Sequence, residues 1–165
     1  MVRTVLLLPD PVLARPCQPV GDLDRGALAV ATDLVDTMRA TSHCVGLAAP
    51  QIGVPLRAFC LDVTGHPKTR SCHGEIVLFD PAVVASSGRE VAREGCMSVP
   101  DLTGDVARPA RVCLEGIGPN GEARRLELDG FEARAALHEL DHLDGRLFLD
   151  QVVADDRVFR RRVYR

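Results

Sequence analysis

The stretch "LHELDHL", residues 137–143, decides how the rest of the chain is read. On an α-helix, His138 and His142 lie four residues apart, so their imidazoles project from one face, one turn apart. Two imidazoles placed this way can meet a single metal ion. Glu139, beside the first, can reach a water on that ion without ligating it, the arrangement of HExxH metal hydrolases. Leu140 and Leu143 give the helix a buried side, which argues against two solvated surface histidines. A catalytic site of this kind takes three protein ligands and keeps one position open. Downstream of His142 there is no His or Glu, only Asp144, Asp150, Asp155 and Asp156. The third ligand is therefore expected upstream. "EGCMSV", residues 94–99, offers Cys96 between Gly95 and a polar turn. A thiolate holds a divalent metal strongly; the competing reading of Cys96 is a small buried hydrophobe.

The surrounding composition sets bounds. The chain has 165 residues, which fits one domain over 1–165. With five Phe, one Tyr and no Trp, aliphatic side chains must do most of the packing. A net charge of -3 gives no electrostatic case for DNA binding. The run "VLLL" is too short to span a bilayer or to form a secretory core. The expectation is a cytoplasmic monomer with no membrane partner. The six cysteines (17, 44, 60, 72, 96 and 113) form no CxxC pair and are expected to be free thiols.

The prolines at 9, 11, 16 and 19 make the opening an extended, turning segment. Leu28, Ala31, Leu34, Val35 and Met38 recur at helical spacing and predict a helix over 24–40, with Asp33, Asp36 and Arg39 off its apolar face. "HCVGLAAPQIGVP" reads as a loop or a close-packed backbone segment. "LRAFCLDV" and "EIVLFDPAVV" read as strands, and "REVAREGCMSVP" as a polar segment running into a turn. "ARVCLEGIG" and "ARRLELDG" flank "PNGE" and predict a hairpin, since Asn-Gly favours positive φ. A helix over 131–143 carries the histidines. Helices at the two ends of a strand-rich stretch predict an α+β domain.

At this point the residues carry a family resemblance. "CVGLAAPQ" (44–51), "EGCMS" (94–98) and "HELDH" (138–142), in that order, resemble the three motifs of the peptide deformylases. The resemblance extends to "PDPVL", "DPAVV" and "DHLDGRLFLD" and thins after about residue 150. It implies an α+β fold with antiparallel strands around a central metal-binding helix. It implies one divalent metal, natively Fe²⁺, with Zn²⁺, Ni²⁺ or Co²⁺ able to substitute. The reaction it implies is removal of the N-formyl group from the formylmethionine of new polypeptides. By motif position, Cys96, His138 and His142 are the metal ligands and Glu139 the general base and acid. The Gln51 amide and the Met97 N–H are the oxyanion donors, and Gly46 admits the substrate backbone.

The chain departs from the family pattern in places. Cys44 stands where glycine is usual and adds a thiomethyl group beside the substrate cleft. Leu137 replaces a glutamine, Met97 a leucine, and Thr103 an arginine able to meet the substrate's far end. Two further readings follow: a specialised paralogue acting on a small N-formyl metabolite or conferring inhibitor resistance, and a formyl-peptide binder without turnover. Intact Cys96, His138, Glu139 and His142 argue against the last. Some relatives dock on the ribosome through a basic C-terminal helix. Here the basic segment, about 155–165, is short, follows two aspartates, and reads as a solvated tail.

Overall fold

The computed structural model describes residues 1–161. Helix α1 (Arg25–Ala40) begins where the Asp24 carboxylate accepts the Ala27 N–H at 2.8 Å, a side-chain N-cap. Strands β1 (Gly46–Ala48), β2 (Ala58–Leu61), β3 (Ile76–Ser87), β6 (Arg111–Ile117) and β7 (Ala123–Asp129) form one sheet in the order β1-β2-β3-β6-β7. Strands β4 (Glu90–Cys96), β5 (Val99–Arg108) and β8 (Val158–Arg160) form a second. Every pairing between named strands is antiparallel. Helix α2 (Gly130–Leu143) follows β7.

The two helices cover opposite faces of the large sheet. Side chains alternate along a strand, so Phe59 and Leu61 face α2 while Ala58 and Cys60 face α1. Both faces of β2 are thus dry, which explains its unbroken apolar sequence. Ala133 and Ala136 let α2 lie close to the sheet, above Phe59, Leu61, Leu78 and Leu114. Among the described residues the cysteines are all free, with Cys44 and Cys72 half-buried and the others buried.

Both helices and the β6–β7 hairpin stand where the sequence places them. Four details differ. Leu28 lies at the exposed rim of α1, while Asp33 is buried and bonded to Arg3 at 2.6 Å. "GLA", read as a loop or a close-packed backbone segment, pairs with β2 as β1. The segments around "EGC" and "VPDLTGDVAR" are full strands, β4 and β5, joined by a short turn. Their inward positions include Glu94 and Arg108, so an ion pair sits where an apolar alternation would have announced a strand. Lastly, the basic C-terminal segment is not simply a solvated tail. Residues 158–160 pair with β5, Thr103 opposite Phe159, although Arg160 is exposed. Residues 162–165 of that segment lie outside the described residues.

Candidate metal centre

Helix α2 carries His138, Glu139 and His142 toward the place where the two sheets meet. The large sheet supplies Gly46 at the start of β1 and Gln51 in the turn after it. The small sheet supplies Cys96 at the end of β4 and Met97 in the next turn. One ligand atom each from Cys96, His138 and His142 lies within 4.8 Å of the others. The Cys96 Sγ stands 3.3 Å from His142 Nε2. Two imidazole nitrogens and a thiol sulfur are a donor set for a borderline divalent metal. Two buried polar atoms, Glu139 Oε2 and His142 Nδ1, have no partner among the described residues. Buried polar groups are normally satisfied, so the carboxylate oxygen points to a group that joins it there. The residues present fit a bound metal.

The supporting contacts fix the ligands' orientation. The Glu94 carboxylate meets His138 Nδ1 at 2.9 Å, which turns Nε2 toward Cys96. Arg108 donates two bonds to Glu94, at 2.6 and 2.9 Å, and Arg134 a third at 2.7 Å. Arg108 also reaches Asp141 on α2, at 2.9 Å. Burial alone would raise the pKa of Glu94, but the Arg108 bonds and His138 overcome it and hold the carboxyl at about 2. Glu139 has no such guanidinium bonded to it. Burial pushes its carboxyl up to about 7, against the pull of His138 and Arg108. Burial, aided by the neighbouring His138, moves His142 well below the usual imidazole range. A neutral imidazole is the form that binds metal.

Gln51 is held by both ends of its amide. Its Oε1 accepts the Ala48 N–H at 2.9 Å, which aims Nε2 at the site. There Nε2 donates to Ser98 Oγ at 3.1 Å and approaches Cys96 Sγ at 3.6 Å. Gly46 faces Glu139, and a Cβ at that position would stand 2.6 Å from Glu139 Oε1. These groups open into a cleft of about 370 Å³, with Cys44 and Met97 on its wall.

All the residues singled out from the motifs therefore converge on one place. Leu137 packs partly buried against the large-sheet core and takes no ligand position. Thr103 lies in β5 beside Gly95, and the cation that lines the cleft there is Arg161, just beyond β8. Sequence reasoning assigned no role to Glu94, Ser98, Arg108, Arg134 or Asp141. Glu94 and Ser98 sit inside the quoted "EGCMS", where their position beside Cys96 was the available signal. Nothing in the sequence marked Arg108, whose partners lie 14 and 33 residues away.

A family model described as polypeptide deformylase matches residues 2–158. The chain is 40% identical over 144 residues to a peptide deformylase of Halothermothrix orenii, covering 87% of this chain and 89% of the relative. A crystal structure of a peptide deformylase from Legionella pneumophila superposes with a TM-score of 0.83 at 36% identity, covering 92% of this chain and 86% of that one. A Met-Ala-Ser-bound peptide deformylase from Acinetobacter baumannii gives a TM-score of 0.84 at 28% identity, covering 92% and 99%.

Proposed function

Because this chain belongs to the polypeptide deformylase family, we propose that it hydrolyses the formyl amide of formylmethionine at the start of new polypeptides, at the Cys96, His138 and His142 centre, with Glu139 moving the proton. The chain is an enzyme of that family, and the family's reaction is removal of the formyl group from nascent peptides. One observation carries the assignment of roles: the buried Glu139 carboxyl, with an unpartnered oxygen, beside a cluster of one sulfur and two imidazole ligands.

These three residues would hold a divalent metal, Fe²⁺ in this proposal, which would supply a Lewis acid and lower the pKa of water toward about 7. Glu139 accepts a proton from the attacking water. It then holds that proton and passes it on. The carbonyl carbon gains oxygen and its C–N bond breaks. The proton goes from Glu139 to the departing amine nitrogen, leaving formate and a free amino terminus. The developing oxyanion is met by the Gln51 amide, already aimed by Ala48, and by the Met97 N–H. Glu94 keeps His138 in the tautomer that presents Nε2.

The cytoplasm is the compartment that fits this substrate, and no helix among the described residues is long and apolar enough to cross a membrane. Full-length protein, purified anaerobically and loaded with iron, should turn over formyl-Met-Ala-Ser with release of formate. A protein that holds iron but releases no formate from that peptide, while cleaving another N-formyl compound, would replace nascent chains with the specialised substrate.

A further inference from the structure

The chain just after β8 reaches the catalytic cleft. The Arg161 N–H donates to Asp101 O at 2.9 Å and continues the β5–β8 ladder by one residue. Residues 159 and 161 share one face of that strand. On this face Arg93 stacks over the Phe159 ring, with Cζ 3.7 Å from the centroid. Arg161 lies so close over Gly95 that a Cβ there would collide with its Nη2. Gly95 directly precedes the metal ligand Cys96, and Arg93, Gly95 and Arg161 all line the cleft.

The two guanidinium groups are not equivalent. Arg93 is committed, bonded to Asp105 at 2.7 Å as well as stacked. Arg161 is exposed and makes no ion pair among the described residues. It is an uncommitted cation at the mouth of a cleft whose floor holds Cys96, His138 and Glu139. Lys68 and His43 add basic groups elsewhere on the lining. A substrate with its formyl group on that floor must lead its chain out past this mouth. The oxygens it carries there, main-chain carbonyls and a terminal carboxylate, are the acceptors a planar guanidinium pairs with best.

We propose that Arg161 is a specificity-determining residue that binds an oxygen of the substrate main chain beyond the formylated residue. The assignment rests on the peptide-deformylase reading above. It gives the C-terminal strand a role in the site: β8 holds the guanidinium in place, and Gly95 leaves room for it. Cleft contact then extends past the first side chain of the substrate, although Thr103 itself carries no charge.

The test uses full-length, metal-loaded protein with Arg161→Ala, Arg161→Lys and, as a control on the opposite face of the same segment, Arg160→Ala. For formyl-Met-Ala-Ser, Arg161→Ala should raise KM about 10-fold with kcat nearly kept, the pattern of lost uniform binding. Arg161→Lys should recover part of the loss and Arg160→Ala should behave as wild type. Running the peptide as free acid and as C-terminal amide identifies the oxygen. An equal loss on both assigns a main-chain carbonyl, and a loss confined to the acid assigns the carboxylate. Calorimetric binding of Met-Ala-Ser supplies a readout independent of turnover, so an inactive wild type would sink the reaction but not this contact. Unchanged KM and unchanged peptide affinity in Arg161→Ala would overturn the proposal, as would a wild type that does not bind the peptide.

Discussion

Gly46 and Glu139 come from opposite sides of the site and meet without a gap, the glutamate carboxyl occupying the space a Gly46 Cβ would need. The glycine at the head of β1 is thus fixed by Glu139 as well as by any substrate. Gly46→Ala should displace the carboxyl and lower kcat by on the order of 10²-fold or more, the usual scale of acid–base catalysis. Metal content should stay near wild type, since no ligand moves. Steady-state kinetics with elemental analysis on one preparation checks both halves.

Glu139→Gln preserves shape and removes the proton carrier. It should keep metal and fold while losing at least ~10²-fold in turnover. Activity within a few-fold of wild type would mean that another group carries the proton.

Cys96→Ala removes the sulfur of the donor set, and elemental analysis should then find metal well below one ion per chain. Wild-type occupancy in that variant would take Cys96 out of the ligand set. With iron bound, air should inactivate the wild type over time, because a thiolate ligand is oxidisable.

Gln51→Ala should lower kcat by roughly 10²-fold with little change in KM, because the oxyanion it faces forms only on the way to the transition state. An effect seen in KM alone would assign Gln51 to substrate binding instead.

Glu94 makes an acid-stability prediction. Its pKa is about 2 in the folded protein, against an ordinary value near 4.5. A depressed carboxyl stabilises the fold above its unfolded pKa, and the contribution fades as pH falls from about 4.5 toward 2, on the order of 3 kcal/mol in all. Glu94→Gln also takes the carboxylate partner from Arg134 and leaves Arg108 with Asp141 alone, so it should cost several kcal/mol at neutral pH. Urea midpoints measured from about pH 7 to pH 3 should show the wild type converging on the variant in acid. A constant gap across that range would leave the ion cluster without a role in acid unfolding.

The sequence announced the site better than the architecture around it. His138, Glu139 and His142 were legible because helical spacing alone puts them together, and Cys96 and Gln51 because they stand in short motifs. The large sheet was legible where apolar runs such as "AFCL" fill both faces. The small sheet was not, because β4 and β5 turn Glu94 and Arg108 inward and so break the apolar alternation that marks a strand. β8 was hidden for a similar reason: it lies in an arginine-rich run that reads as a solvated tail, and only long-range pairing with β5 shows it as a strand. Asp33 illustrates the converse, a charge on a helix that is buried because Arg3 arrives from the distant N-terminal segment.

That N-terminal segment also bonds to the main chain of Gln51 and of its side-chain partner Ser98. The Leu6 N–H donates to Gln51 O at 2.8 Å and the Leu8 N–H to Ser98 O at 3.0 Å, behind the two residues whose side chains bond each other. On the other side β8 closes against β5. The pocket is laced by segments far apart in the sequence, residues 6 and 8 on one side and 158–161 on the other. Residues 6 and 8 are made before Gln51 and Ser98 and must wait for them, and the wall bearing Arg161 is made after both. A growing copy of this chain therefore has no finished pocket until residue 161 has been made, and every molecule that works on new polypeptides has first passed through a stage as an inactive one.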